Sequence, residues 1–146
     1  MSKSNTFEND LVKLIFNNDD IADIGDASGL QNSATAGSFY VALHTGDPGE
    51  AGTAATNEAT YSGYARVAVA RSGAGWTVSG NQASNTAQIS FGECTSGSDT
   101  VTYVSITTAS SGTSKILYSG ALTASRSISA GITPLFAAAA LTVTED

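Results

Sequence analysis

The sequence holds few residues that do chemistry. It has one cysteine (Cys94), one histidine (His44), two prolines and six basic residues against thirteen acidic ones. A lone cysteine excludes an intrachain disulfide, and no Cys/His pair has metal-ligand spacing. The bases Lys3, Lys13, Arg66, Arg71, Lys115 and Arg126 are scattered and the net charge is −7. Nothing is arranged to neutralise phosphates, so nucleic-acid binding is not expected. Charged residues make up only 13% of the chain, against about 25% in an ordinary soluble domain. So neutral a surface is common where partner subunits cover much of it. There is no apolar run of about 18 residues and no N-terminal signal core, so neither a membrane nor a secretory route is expected.

Ala, Ser, Thr and Gly fill the space left by charge, and short strand patterns recur. Phe39, Val41 and Leu43 alternate with Tyr40, Ala42 and His44, the period of a strand. Gly46-Asp47-Pro48-Gly49 breaks that strand, with Pro48 suited to position i+1 of a turn and Gly49 to the φ > 0 of i+2. A long loop over 46–62 follows. Further strands are expected at Tyr64–Ala70, Trp76–Val78, Thr86–Phe91, Val101–Thr107, Lys115–Leu122, Ser127–Ile132 and from Ala139 to the end. Ahead of them, Phe7, Leu11, Leu14 and Ile15 fall on one helical face that Val12 and Phe16 widen, with Thr6 as N-cap. The spacing predicts a flexible start at 1–5, a helix at 6–17 and a β domain at 38–146, together one domain over 1–146. The expected fold is mainly β: an antiparallel sandwich or barrel, jelly-roll-like, of about seven or eight strands with one N-terminal helix.

No motif carries catalysis. His44 is the only imidazole base, and there is no Gly-x-Ser-x-Gly elbow. It reads as a structural histidine. Asp19, Asp20, Asp23 and Asp26 lack the EF-hand spacing and read as an exposed acidic loop. Asp47, Glu50 and Glu58 share one loop, where acids meeting solvent or a partner are commoner than a glycosidase pair. Cys94, beside Glu93, reads as a spectator. No cofactor is expected. Tyr61 and Tyr64, at the loop exit, suit packing or an interface. The candidate subunit contacts are therefore Phe7, Leu11 and Ile15 on the helix, Asp47, Glu50 and Glu58 in the loop, and Tyr61 and Tyr64 beside it.

Several segments resemble one family of tailed-phage and prophage virion proteins, often labelled tail fibre or structural proteins. They are Phe39-Tyr-Val-Ala-Leu-His-Thr-Gly-Asp-Pro-Gly, Asn57-Glu-Ala-Thr-Tyr-Ser-Gly-Tyr-Ala-Arg-Val-Ala-Val, Trp76-Thr-Val, Ser98-Asp-Thr-Val-Thr-Tyr-Val-Ser-Ile, Ile116-Leu-Tyr-Ser-Gly-Ala-Leu-Thr-Ala-Ser-Arg and Leu135-Phe-Ala-Ala-Ala-Ala-Leu-Thr-Val-Thr. The resemblance implies a virion structural protein, assembled in the host cytoplasm, with no catalytic motif to carry over. A compact acidic β domain without repeats fits a capsid decoration (cement) or minor capsid protein better than a fibre shaft. Its expected partners are the major capsid protein and copies of itself, as a homotrimer or homodimer. The alternative is a tail or tail-fibre component whose partners are tail proteins or a host receptor.

Overall fold

The computed structural model describes residues 2–146. In chain order its elements are α1 (Asn5–Asn17), β1 (Ser38–His44), β2 (Val67–Ala70), β3 (Trp76–Ser79), β4 (Gln82–Asn85), β5 (Ile89–Ser90), β6 (Ser98–Thr107), β7 (Ile116–Ser129), β8 (Leu135–Phe136) and β9 (Thr142–Thr144). They form a four-stranded sheet in the order β2-β1-β6-β7, a three-stranded sheet β3-β4-β9 and a two-stranded ladder β5-β8. The β1–β6, β6–β7, β3–β4 and β4–β9 pairs are all antiparallel. The mainly-β class, the antiparallel pairing and the single N-terminal helix are as expected. Each sheet keeps two edges, which fits the sandwich alternative rather than a closed barrel.

The chain divides into two compact units that interleave in sequence. One holds Met1–Ser38, Ala70–Gln88 and Phe136–Asp146, the other Phe39–Val69 and Ile89–Leu135.

In the first unit, α1 packs on β3 and β4. The helix starts one residue earlier than expected because Ser4, not Thr6, is the cap: its hydroxyl accepts the Phe7 N–H at 3.3 Å. Its buried stripe is Glu8, Val12 and Phe16, spaced i, i+4, i+8. Phe7, Leu11, Leu14 and Ile15 flank that stripe, half-buried. Phe16 meets Trp76 edge-on at 4.8 Å, and full burial of side chains such as Val12 and Phe16 stabilises by about 1.5–3 kcal/mol each. The last helical turn has no base of its own. Arg71 supplies one, donating to the Leu14 and Ile15 carbonyls at 2.5 and 2.6 Å, where a cation complements the helix dipole.

β4 was not legible as a strand: Gln82-Ala-Ser-Asn85 has no apolar alternation. Asn85 explains its place. The side chain is 1% exposed, donates to the Ala87 and Ala137 carbonyls at 2.7 and 2.8 Å and accepts the Leu141 N–H at 2.8 Å. The C-terminal segment is thus tied by an amide. Ala139 is held at φ 61°, and regular strand is confined to Thr142–Thr144 instead of beginning at Ala139.

Candidate functional site

β1 delivers His44 to the base of the long loop. Sequence alternation marks one face of this strand for burial, yet Val41, Ala42, Leu43 and His44 are all buried. The second face is covered because the chain returns beside it. Thr45 N–H donates to the Asn57 carbonyl at 2.7 Å and Ala59 N–H to the Leu43 carbonyl at 2.9 Å, so residues 46–58 form a closed loop with adjoining ends. Its turns are internal. The Asp47 carboxylate accepts Gly49 N–H at 2.8 Å, Gly49 takes the expected positive φ, 69°, and Asn57 donates its side-chain amide to the Asp47 carbonyl at 2.9 Å.

Arg66 locks this loop. Its side chain is 1% exposed, and all five N–H donors of the guanidinium are used. Nε and Nη2 reach the two Glu58 oxygens at 2.6 and 2.7 Å. Nη2 also donates to the Gly112 carbonyl at 2.8 Å, and Nη1 to the Ala109 carbonyl and the Ser114 hydroxyl at 3.0 Å each. Ser114 then donates to Thr107 at 2.6 Å, since the Thr107 hydroxyl itself donates to the Lys115 carbonyl at 2.8 Å. One cation therefore ties the long loop, through Glu58, to the β6–β7 connection. The bidentate Glu58 carboxylate holds the guanidinium charged and raises its pKa.

Glu58 also accepts the Tyr64 hydroxyl at 3.0 Å, and that hydroxyl accepts Leu43 N–H at 3.0 Å. Burial, before any charge effect, pushes the Tyr64 phenol well above its ordinary value. Tyr61 lies edge-on to Tyr64 at 5.4 Å, is 3% exposed, donates to the Gly92 carbonyl at 3.1 Å and is raised by burial to about 12. Asp99 accepts the Thr60 and Tyr61 N–H groups at 2.6 and 2.8 Å, closing the loop exit.

His44 sits inside this frame, fully buried. Nδ1 lies 2.9 Å from the Thr56 carbonyl and Nε2 2.7 Å from the Ser105 hydroxyl. A carbonyl only accepts, so Nδ1 carries the proton and Ser105 donates to Nε2. Burial lowers the ring's pKa from its ordinary 6.5. The pair has the order of a serine–histidine dyad, but a carbonyl stands where a triad places its carboxylate. Ser105 is 1% exposed, so its hydroxyl is closed off from solvent and spends its hydrogen on the imidazole.

Of the eight candidate contact residues, the fold brings Glu58, Tyr61 and Tyr64 together in the frame. Asp47 and Glu50 remain exposed on the loop, and Phe7, Leu11 and Ile15 lie half-buried on α1. Sequence reading missed Arg66, Ser105, Thr107 and Ser114. The one available signal was Arg66 itself, a lone base set among small and apolar residues in a chain with six bases.

Elsewhere, Asp26 is a local turn acceptor for the Ser28 and Gly29 N–H groups, and Asp20 accepts the Asn32 N–H from the far end of the same loop. Among the described residues no group of three or more His, Cys, Asp and Glu is placed to hold a metal, and no helix is long and apolar enough to cross a membrane.

No curated protein matches the chain. A family model does match, over residues 2–144, and its description is that of a phage fibre protein. The near-complete span of that match, on a mainly-β chain whose polar residues are committed to holding loops, places the chain among phage virion structural proteins: it belongs to the Gp80 family, podophage GP4 fiber I protein gp80.

Proposed function

We propose that this protein is a fibre-associated component of a phage tail, a non-enzymatic module that offers a rigid loop to a neighbouring virion protein or a host receptor. The observation that carries the reading is the match of residues 2–144 to a fibre protein family. The loop geometry supports it. Asp47 and Glu50 are exposed on a segment whose backbone is already fixed by the Arg66–Glu58 staple, and a preorganised loop loses little entropy on binding. The His44–Ser105 pair acts in the same way, as a buried strut.

Capsid decoration is the second reading, favoured by the compact acidic chain without repeats. In that case the protein would bind the assembled head surface and stabilise it by mass action. Immunogold labelling of intact virions separates the two. Label at the tail end supports the fibre reading. Label spread over the head overturns it in favour of decoration. For the non-enzymatic part, His44→Ala and Glu50→Gln proteins that remain folded should support infection as wild type does; loss of infectivity in both would point to chemistry.

A further inference from the structure

His44 is the only side chain of this protein that ordinarily changes charge between pH 5 and 8, and it is fully buried. Two different elements hold its ring. Ser105 belongs to β6, an inner strand paired with both β1 and β7, and Thr56 belongs to the loop over 46–58. In the neutral ring each bond has one donor, Nδ1–H toward the Thr56 carbonyl and the Ser105 hydroxyl toward Nε2. A second ring proton sets Nε2–H against the Ser105 O–H at 2.7 Å. The hydroxyl must turn, and its hydrogen loses the acceptor it has now.

Charge around the ring is balanced only while the ring is neutral. The loop brings Glu58 and the segment after it Arg66. Each cancels the other, and both Glu58 oxygens are already bonded to the guanidinium, one of them also to the Tyr64 hydroxyl. β6 brings the Tyr103 phenol, cross-strand neighbour of His44, and Asp99, whose carboxylate is taken by the Thr60 and Tyr61 N–H groups. Asp47 and Glu50 are exposed on the loop, and β2, residues 119–121 of β7 and the β6–β7 connection over 108–114 contain no ionisable group. An imidazolium would add an unbalanced positive charge to the buried frame, at a cost that falls only when water reaches it. Water has two ways in. Parting β1 from β6 breaks the centre of the four-stranded sheet. Lifting the loop breaks the Thr45–Asn57 and Ala54–Ser114 bonds and the ring's own bond to Thr56, and leaves the sheet paired. The second is the smaller opening.

We propose that protonation of His44 lifts the loop over 46–58 while the sheet beneath it stays paired, making the loop an acid-sensitive latch. This goes beyond the reading of fibre or head, because it concerns the purified chain and holds for either location. Hydrogen exchange of the full chain from pH 7.5 to 5, expressed as protection relative to the unfolded rate at each pH, tests it. A proton taken up by the open form raises the opening constant, so the amides of Thr45 and Ala54, bonded across the closed loop, should lose protection by up to about tenfold per pH unit below 6.5. A lifted loop exposes little surface, so low urea should leave their exchange nearly unchanged and speed that of Val104, Ser105 and Ile106 in β6. His44→Gln should flatten the pH profile of the loop amides. If that variant misfolds, the wild-type ring carries the test: its Cε1 proton shift and the Thr45 and Ala54 amide shifts should move with one midpoint. Loop amides equally protected at pH 7.5 and 5, loop amides as sensitive to urea as those of β6, a profile unchanged in His44→Gln, or different midpoints for ring and loop overturns the proposal.

Discussion

The loop over 46–58 and the edge strand β7 belong to the same compact unit, yet they treat their polar groups in opposite ways. The loop turns them inward. Its ends bond each other, its acid Glu58 is gripped by a buried arginine, and the histidine beneath it uses both ring nitrogens. The strand, outermost in its sheet, leaves alternate backbone groups facing away from β6 over its regularly paired residues 118–121. A segment that satisfies itself presents a fixed shape, whereas one that does not presents bonds still to be made. The comparison teaches that the loop is held in one fixed shape by its own bonds, whereas the edge strand is held from one side only.

The strongest way to break the contrast is to remove the staple. Arg66→Met should cost about 3–5 kcal/mol, because it strands the partly buried Glu58 carboxylate and frees the Gly112 and Ala109 carbonyls. Urea unfolding measures this, and proteolysis should cut first within the loop. Arg66→Lys should recover only part of the loss, since an ammonium lacks the five-donor fork. Asn85→Ala makes the same kind of break in the other unit. Leaving Leu141 N–H and two carbonyls without partners should cost about 2–4 kcal/mol in the same assay.

The next effect is pH-dependent. Folding keeps His44 neutral below its ordinary value of 6.5, through burial, with Glu58 opposing and Arg66 assisting. The unfolded chain takes up a proton as pH falls through that value, so it binds more protons and stability declines. Above 6.5 the contribution is fully present. Below it, stability should fall by up to about 1.4 kcal/mol per pH unit from this residue. Urea midpoints at a series of pH values, compared with His44→Gln, check the sign: the variant's curve should be flatter between pH 6.5 and 5. The smallest effects belong to the exposed acids. Glu50→Gln should shift stability by under about 0.5 kcal/mol, and a larger loss would mean that the loop relies on contacts of Glu50.

Local patterns in the sequence carried β1, β3, β6 and α1, because apolar side chains at periods of 2 and 3.6 mark an element and its inner face. They failed where a single polar side chain sets the structure. Tyr64–Ala70 reads as one strand, but β2 begins only at Val67, since Tyr64 and Arg66 are drawn into the loop frame. The expected strands Lys115–Leu122 and Ser127–Ile132 are one bulged strand, β7, for the register of its partner is not written in its own alternation. The site was less legible than the fold. His44 meets Ser105 across 61 residues of chain, and Arg66 meets Gly112 across 46. No local spacing encodes such pairs. Glu58, Tyr61 and Tyr64 stood out by residue type, but type alone does not distinguish an outward contact from an inward tie.

Hydrogen exchange of the full chain at low and high protein concentration tests the contrast most directly. The amides of Thr45, Ala54 and Ala59, bonded within the unit, should be protected to the same extent at both concentrations. The outward-facing amides of residues 118–121, at the edge of their sheet, should exchange much faster than these. Loop amides that exchange as fast as the edge amides at either concentration, or edge amides as well protected as those of the loop, would contradict the account.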